Sequence, residues 1–281
     1  MLLVLPGMEP GRTAKLAWPG WVVGVAIVLM AATGCGSGTA VQQQSEPANV
    51  PVGQLTVIGE IPHDTTAFTE GLEFDGPALY ESTGKVGHSQ LRELDPASGA
   101  VVRSVPLPAD LFGEGIAVVG DRIWQLTWQN GVAIEWDKAS FTPLRQVPIS
   151  GEGWGLCYDG NRLVRSDGTD RLRFHDPASF AETGSVLVTY QGGPLTGLNE
   201  LECVEGQVWA NVSPTDLIAR IDPSTGKVTA VVNGARLLDD ARRAQGQGEI
   251  LNGIAYAGAG EFLLTGKYWP AMFRVRFDGL Q

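Results

Sequence analysis

The chain of 281 residues is poor in the side chains that most often hold metals and staples, with three histidines and three cysteines. His63, His88 and His175 fall in separate parts of the sequence with no ligand spacing, which argues against a zinc-type site. Each reads as a surface residue, although His63-Asp64 lies close enough to FTEG (68–71) to supply a structural hydrogen bond there. One cysteine, Cys35, lies in the leader, leaving Cys157 and Cys203 as a single pair and excluding a disulfide framework. Only 18% of residues are charged, the net charge is −11, and the acidic residues are scattered. That excludes a basic nucleic-acid face and reads as solubility. Helical patterning is confined to one stretch, LLDDARRAQ (237–245).

Glycine (37 residues) and proline (17) are plentiful, and 43% of the chain is hydrophobic. This suits many short strands joined by turns, in one domain large enough for a full core. Residues 1–34 stand apart. Arg12 and Lys15 precede the apolar run WVVGVAIVLMAA (21–32), which is short for a membrane span. The run ends at Ala-Thr-Gly-Cys35, a pattern similar to a bacterial lipobox. The reading is a lipoprotein signal peptide (1–34), lipidation at Cys35, a flexible tether (35–53) and a folded domain (54–281) anchored outside the cytoplasm.

Within that domain the chain repeats. Apolar runs that end in a turn begin at GLEFDG (71), GIAVVG (115), GLCYDG (155), LECVEG (201) and GIAYAG (253), spaced by 44, 40, 46 and 52 residues. Each is followed by a second apolar run and most by a third ending in Asp, with DPASG and DPSTG as hairpin turns to a fourth. Five units of about four strands predict an all-β, five-bladed β-propeller. The fifth unit stops at FRVRF (273–277) without a fourth strand, so the N-terminal LTVIGEI (55–61) is expected to complete that last blade. Cys157 and Cys203 hold the same position in neighbouring innermost strands; a disulfide and two buried thiols both fit this placement.

In a propeller the start of each first strand and the end of each second strand meet at one face. The residues just before the first strands are Glu70, Glu114, Trp154, Glu200 and Asn252, with Asn199 one position earlier in the fourth unit. The second strands end at Gly84, Trp128, Gly168, Ser213 and Lys267, and Phe68 and Phe112 lie near the same rim. Singly, such residues often cap strands or fill a core. Together, apolar walls with a few convergent polar groups form a small-ligand pocket.

The segments PHDTTAFTEGLEF, LYESTG, FGEGI, IWQLTW, GEGWGL, SDGT, LNELE, VWANV, RIDPSTG, LNGIAY and LTGKYWP, one or more per unit over about residues 55–278, resemble the glutamine cyclotransferase family, a five-bladed propeller. The resemblance implies conversion of N-terminal glutaminyl residues of peptides or proteins to pyroglutamate with release of ammonia. It implies Glu114 as acid/base, with Asn199 and Lys267 as polar partners. Phe68, Glu70, Phe112, Trp128, Trp154 and Asn252 are expected to bind substrate. Two positions depart from the family: Glu70 stands where glutamine is common, and Ser213 where tryptophan is expected. No cofactor is required by this chemistry, although the carboxylate content is compatible with a structural calcium ion. A monomer is expected. Two other readings fit parts of the pattern: a propeller that only binds peptides or proteins, and a calcium-dependent hydrolase, which Lys267 among the carboxylates disfavours.

Overall fold

The computed structural model describes residues 49–238 and 250–280. The signal segment, Cys35, most of the tether and residues 239–245 of the expected helix lie outside the described residues. Regular structure within them is entirely β.

Three antiparallel sheets of four strands follow one another: β2 (Thr69–Asp75) to β5 (Val101–Pro106), with β3 (Ala78–Thr83) and β4 (Gln90–Leu94) between them; β6 (Gly113–Val119), β7 (Arg122–Thr127), β8 (Val132–Asp137) and β9 (Pro143–Pro148); and β10 (Leu156–Tyr158), β11 (Leu163–Arg165), β12 (Arg171–His175) and β13 (Glu182–Leu187). A two-strand hairpin that the repeat did not predict follows, β14 (Thr189–Tyr190) and β15 (Gly193–Pro194). The next four strands are β16 (Leu198–Val204), β17 (Gln207–Val212), β18 (Leu217–Asp222) and β19 (Lys227–Asn233). The last run, β20 (Leu251–Gly258), β21 (Glu261–Gly266) and β22 (Ala271–Asp278), is completed by β1 (Val52–Pro62), which pairs antiparallel with β22. The start of β1 also pairs in parallel with β19, through Val52–Val231 and Gly53–Val232, so the last two runs form one continuous sheet.

The innermost strands are neighbours in a cycle: β2 packs on β6, β6 on β10, β10 on β16, β16 on β20, and β20 on β2. The core is accordingly divided into clusters lying between adjacent sheets. Tyr80, Ile116 and Trp136 meet between the first two, and Trp124, Leu156 and Phe180 between the second and third. Burial falls along each unit. GEGIAVV of β6 is buried almost throughout, as a strand covered on both faces must be, whereas PLRQVP of β9 is largely exposed. Proline at both ends of β9 suits an outer strand with no further partner. The predicted DPASG turn forms as read: Asp95 accepts hydrogen bonds from the Ala97 and Ser98 amides at 3.1 and 2.7 Å. Outer strands also tie to the next unit, as Arg103 of β5 donates to the carbonyls of Lys138 and Ala139.

Cys157 of β10 and Cys203 of β16 are disulfide-bonded, with their Cα atoms 5.5 Å apart. Neighbouring innermost strands are thus close enough for the bond, the point left open by spacing alone. The bond closes a loop across a sequence separation of 46 residues, and chain-entropy reasoning assigns such a closure about 4 kcal/mol. Substituting both cysteines by serine is expected to lower stability by about 2–5 kcal/mol, read as a lower denaturant midpoint. Non-reducing peptide mapping of the native protein should recover the two cysteines in one fragment, and two free thiols would contradict the bond.

Candidate active site

The regular ladders break where the candidate residues sit. Register shifts interrupt β2 between Thr69 and Gly71, β6 between Gly113 and Ile116, β16 between Leu198 and Leu201, and β20 between Leu251 and Ile254. These breaks contain Glu70, Glu114, Asn199 with Glu200, and Asn252. A bulge releases a side chain from strict alternation and re-aims it. The glycine after Glu70 and after Glu114 has a separate cause. A Cβ on Gly115 would lie 2.6 Å from the Trp154 carbonyl and the Leu156 amide, and one on Gly71 would lie 2.8 Å from the Ile116 amide. The innermost backbones approach too closely there for any side chain.

A cavity of about 240 Å³ opens at this end, lined by Phe68, Glu70, Lys85, Phe112, Glu114, Trp128, Trp154, Asn199, Ser213 and Lys267. Phe68 meets Phe112 edge-on, with centroids 6.0 Å apart, and Phe112 continues to Trp128 at 5.5 Å. Gly84 and Gly168, at the ends of second strands, clear space for these rings: a Cβ on Gly168 would lie 2.7 Å from the Trp154 indole, and one on Gly84 would overlap Phe112.

The floor is a charge cluster. Lys267 Nζ lies 2.9 Å from Glu70 Oε1 and 4.6 Å from the centre of the Phe68 ring. Burial pushes the Glu70 carboxyl up to about 7 against the pull of the Lys267 ammonium. Burial, and then the charge of Glu70, drive Glu114 well above the carboxylate range. Lys267 lies against Glu70, and the charge of Glu70 disfavours ionisation of Glu114. The Asn199 side-chain oxygen is buried and has no partner among the described residues. Its backbone is fixed from behind, because the Ser166 hydroxyl donates to the Asn199 carbonyl at 2.6 Å.

Two rim residues lie one layer back. Asn252, expected to touch substrate, does not line the cavity; its amide donates to Glu70 Oε2 at 3.1 Å and to the Thr69 carbonyl at 3.0 Å. Glu200 accepts the Leu72 and Ile254 amides, joining three innermost strands. Lys85 lines the cavity but was not anticipated, although it directly follows the second-strand motif LYESTG. Among the described residues, no group of three or more His, Cys, Asp or Glu side chains is arranged to hold a metal ion.

The surface reading of the histidines holds for His88 only; His63 and His175 are buried. His175 accepts from Arg165 Nε at 3.1 Å and sits 2.9 Å from the Phe180 carbonyl through Nδ1, the pattern of a neutral ring. His63 instead faces two acceptors, the Trp269 carbonyl at 2.9 Å and Glu81 Oε1 at 2.8 Å. Both ring nitrogens therefore donate, the pattern of an imidazolium. Burial alone would lower its pKa, but the Glu81 carboxylate holds it above the ordinary 6.5. Glu81 is held below its ordinary 4.5: burial opposes this, and His63 then Arg92 outweigh it. The raised histidine contributes stability below pH 6.5 that is lost as pH rises through its folded value. The lowered Glu81 contributes above pH 4.5 and loses it as pH falls. His63→Gln is therefore expected to cost about 3 kcal/mol, with the widest gap in melting temperature from wild type between pH 4.5 and 6.5. A gap that stays constant up to pH 9 in thermal scans would contradict the ion pair.

Comparison with known proteins agrees with this geometry. The family model described as glutamine cyclotransferase matches residues 27–277. A glutaminyl-peptide cyclotransferase of Arabidopsis thaliana is 34% identical over 229 residues, covering 80% of this chain and 72% of the relative. The crystal structure of Myxococcus xanthus glutaminyl cyclase superposes with a TM-score of 0.74 at 40% identity, covering 82% of this chain and 98% of that one. With a family match over nearly its whole length and relatives alike in sequence and in fold, the chain belongs to the glutamine cyclotransferase family.

Proposed function

We propose that this chain is a glutaminyl-peptide cyclotransferase that converts N-terminal glutaminyl residues of peptides and proteins to pyroglutamate and releases ammonia, on a five-bladed propeller whose last blade is completed by β1. The observation that carries this reading is a pair of buried carboxyl groups lining one cavity, Glu70 and Glu114, with Lys267 paired to Glu70 and aromatic rings as walls.

In this reaction the α-amine nitrogen bonds to the side-chain amide carbon, the carbon–nitrogen bond of that amide breaks, and one proton passes from the attacking nitrogen to the departing one. Holding both ends of the glutaminyl residue in one cavity supplies much of the rate by proximity. Glu114 is the group through which the proton passes: it gives a proton to the leaving nitrogen and recovers one from the amine. The charge of Glu70 favours the protonated form of Glu114, and Glu70 is itself held by Lys267 and Asn252. The unpartnered Asn199 oxygen accepts from an N–H of the substrate, and Lys267 has donors left for the developing oxyanion. Phe68, Phe112, Trp128 and Trp154 keep water from the amide carbon, where attack would give glutamate instead.

No cofactor is needed in this scheme, and the Lys267 charge opposes a cation at the carboxylates. The Cys157–Cys203 bond supports folding in an oxidising compartment. We place the enzyme outside the cytoplasm as a monomer, lipid-anchored through Cys35. Ser213 lines the cavity and favours the second reading, a peptide-binding module without turnover.

Incubating residues 36–281 with a Gln-initiated peptide should give ammonia and a peptide lighter by about 17 daltons, the mass of the ammonia lost in the cyclisation, with or without chelator. A chelator-sensitive activity would point to the metal-dependent hydrolase, and a folded protein without turnover to the binding module. Glu114→Gln is expected to lower kcat by about 10²–10⁴-fold with unchanged melting temperature; near-wild-type kcat would remove Glu114 from the chemistry. Because burial pushes Glu70 up to about 7 and the substrate amine has a pKa of about 8, log kcat/KM should rise with pH with a slope approaching two below both values. Glu70→Gln should reduce that slope to one.

A further inference from the structure

Trp128 and Trp154 come from different loops, the first from the turn after β7 and the second from the segment between β9 and β10. Neither indole is fixed by deep burial; Trp128 is 37% exposed. Both N–H groups nevertheless donate to one oxygen atom. Glu152 Oε2 accepts Trp128 Nε1 at 2.8 Å and Trp154 Nε1 at 2.9 Å. Its other oxygen accepts Gln129 Nε2 at 2.8 Å. No cation pairs with this carboxylate among the described residues: its partners there are two indoles and an amide. The main chain beneath it is stapled by the buried Arg165 guanidinium, which donates to the Glu152 carbonyl at 2.5 Å and the Ser150 carbonyl at 3.0 Å.

We infer that Glu152 is a positioning residue for the cyclisation, acting as a clamp that sets the angle and separation of the two tryptophan walls. The inference rests on the reading of Trp128 and Trp154 as substrate walls. An indole ring turns freely about two side-chain bonds, and an exposed one samples several rotamers. A shared acceptor removes that freedom for both rings together. A carboxylate suits the task because one of its oxygens can take two donors and a charged acceptor makes the stronger hydrogen bond. The three donors hold Glu152 ionised: burial alone would raise its carboxyl, and the hydrogen bonds from Trp154, Gln129 and Trp128 lower it.

The test is a cycle of variants of the full domain, with peptide cyclisation and indole spectroscopy as separate readouts. Glu152→Ala is expected to raise KM at least tenfold with a smaller change in kcat. Glu152→Gln, whose amide oxygen can still accept both indoles, should recover most of that loss. In the Trp128→Phe, Trp154→Phe background, Glu152→Ala should add nothing further, because the groups through which it acts are gone. In the substrate-free protein, Glu152→Ala should alter near-ultraviolet circular dichroism and tryptophan emission, and the same change should vanish in the double-Phe background. An unchanged KM in Glu152→Ala, a Gln variant as impaired as the Ala one, or an effect that persists in full without the indoles would overturn the clamp. Failure of the wild type to cyclise any Gln peptide would overturn the functional reading instead. The clamp would still be judged by the spectroscopic cycle, which needs no substrate.

Discussion

The innermost strands converge so tightly at one end of the channel that a Cβ atom does not fit between them, and the site depends on this crowding. Gly71 faces the backbone of β6, Gly115 that of β10, and Gly155 that of β16. Glycine allows the approach, and bulges at Glu70, Glu114 and Asn199 turn the adjoining side chains out of the ladder. The motifs FTEGL and FGEGI are therefore two devices in one: the acid is the group presented to the cavity, and the glycine after it is the space that lets the neighbouring sheet bring its own group alongside. Crowding also creates the electrostatics, since burying Glu70 and Glu114 away from water raises both carboxyl groups.

Lys267 makes the two carboxyl groups unequal. It lies against Glu70 and favours its charged form, while burial and the charge of Glu70 raise Glu114. Lys267 follows β21 in the last unit, Glu70 belongs to the first, and Glu114 to the second. The cluster therefore exists only once the cycle of sheets closes. Closure is secured nearby by β1, which completes the last sheet against β22, and by His63 just beyond it, whose ring joins the Trp269 carbonyl to Glu81 of β3. The first and last units are thus joined near the site by a buried ion pair about which a lone histidine in the sequence says little.

Much of this was legible in advance because it repeats. Strands cut from one template show their period, their Asp-initiated turns and their missing member, so FRVRF without a partner called for LTVIGEI at the other end of the domain. Repetition also put Glu70, Glu114, Asn199, Trp128, Trp154 and Lys267 at one face. What does not repeat stayed hidden. Glu152 is an unremarkable acid two residues before a tryptophan, and its role depends on a second indole arriving from the neighbouring sheet. His63 looked like a surface residue, since burial depends on what packs over a loop. Asn252 occupies the same repeat position as the acids, yet in this unit the side chain turns toward Glu70 and stops short of the cavity.

The sequence by itself determined the strand count of each unit, the family and the identity of the converging residues, because these follow from periodicity and local turn chemistry. Tertiary structure alone decided which carboxyl Lys267 pairs with, that Cys157 and Cys203 are bonded, and which side chains line the cavity and which brace those that do. Such distinctions are set by distances of a few ångströms between elements far apart in the chain, and by the loss of water around them, neither of which a linear pattern records.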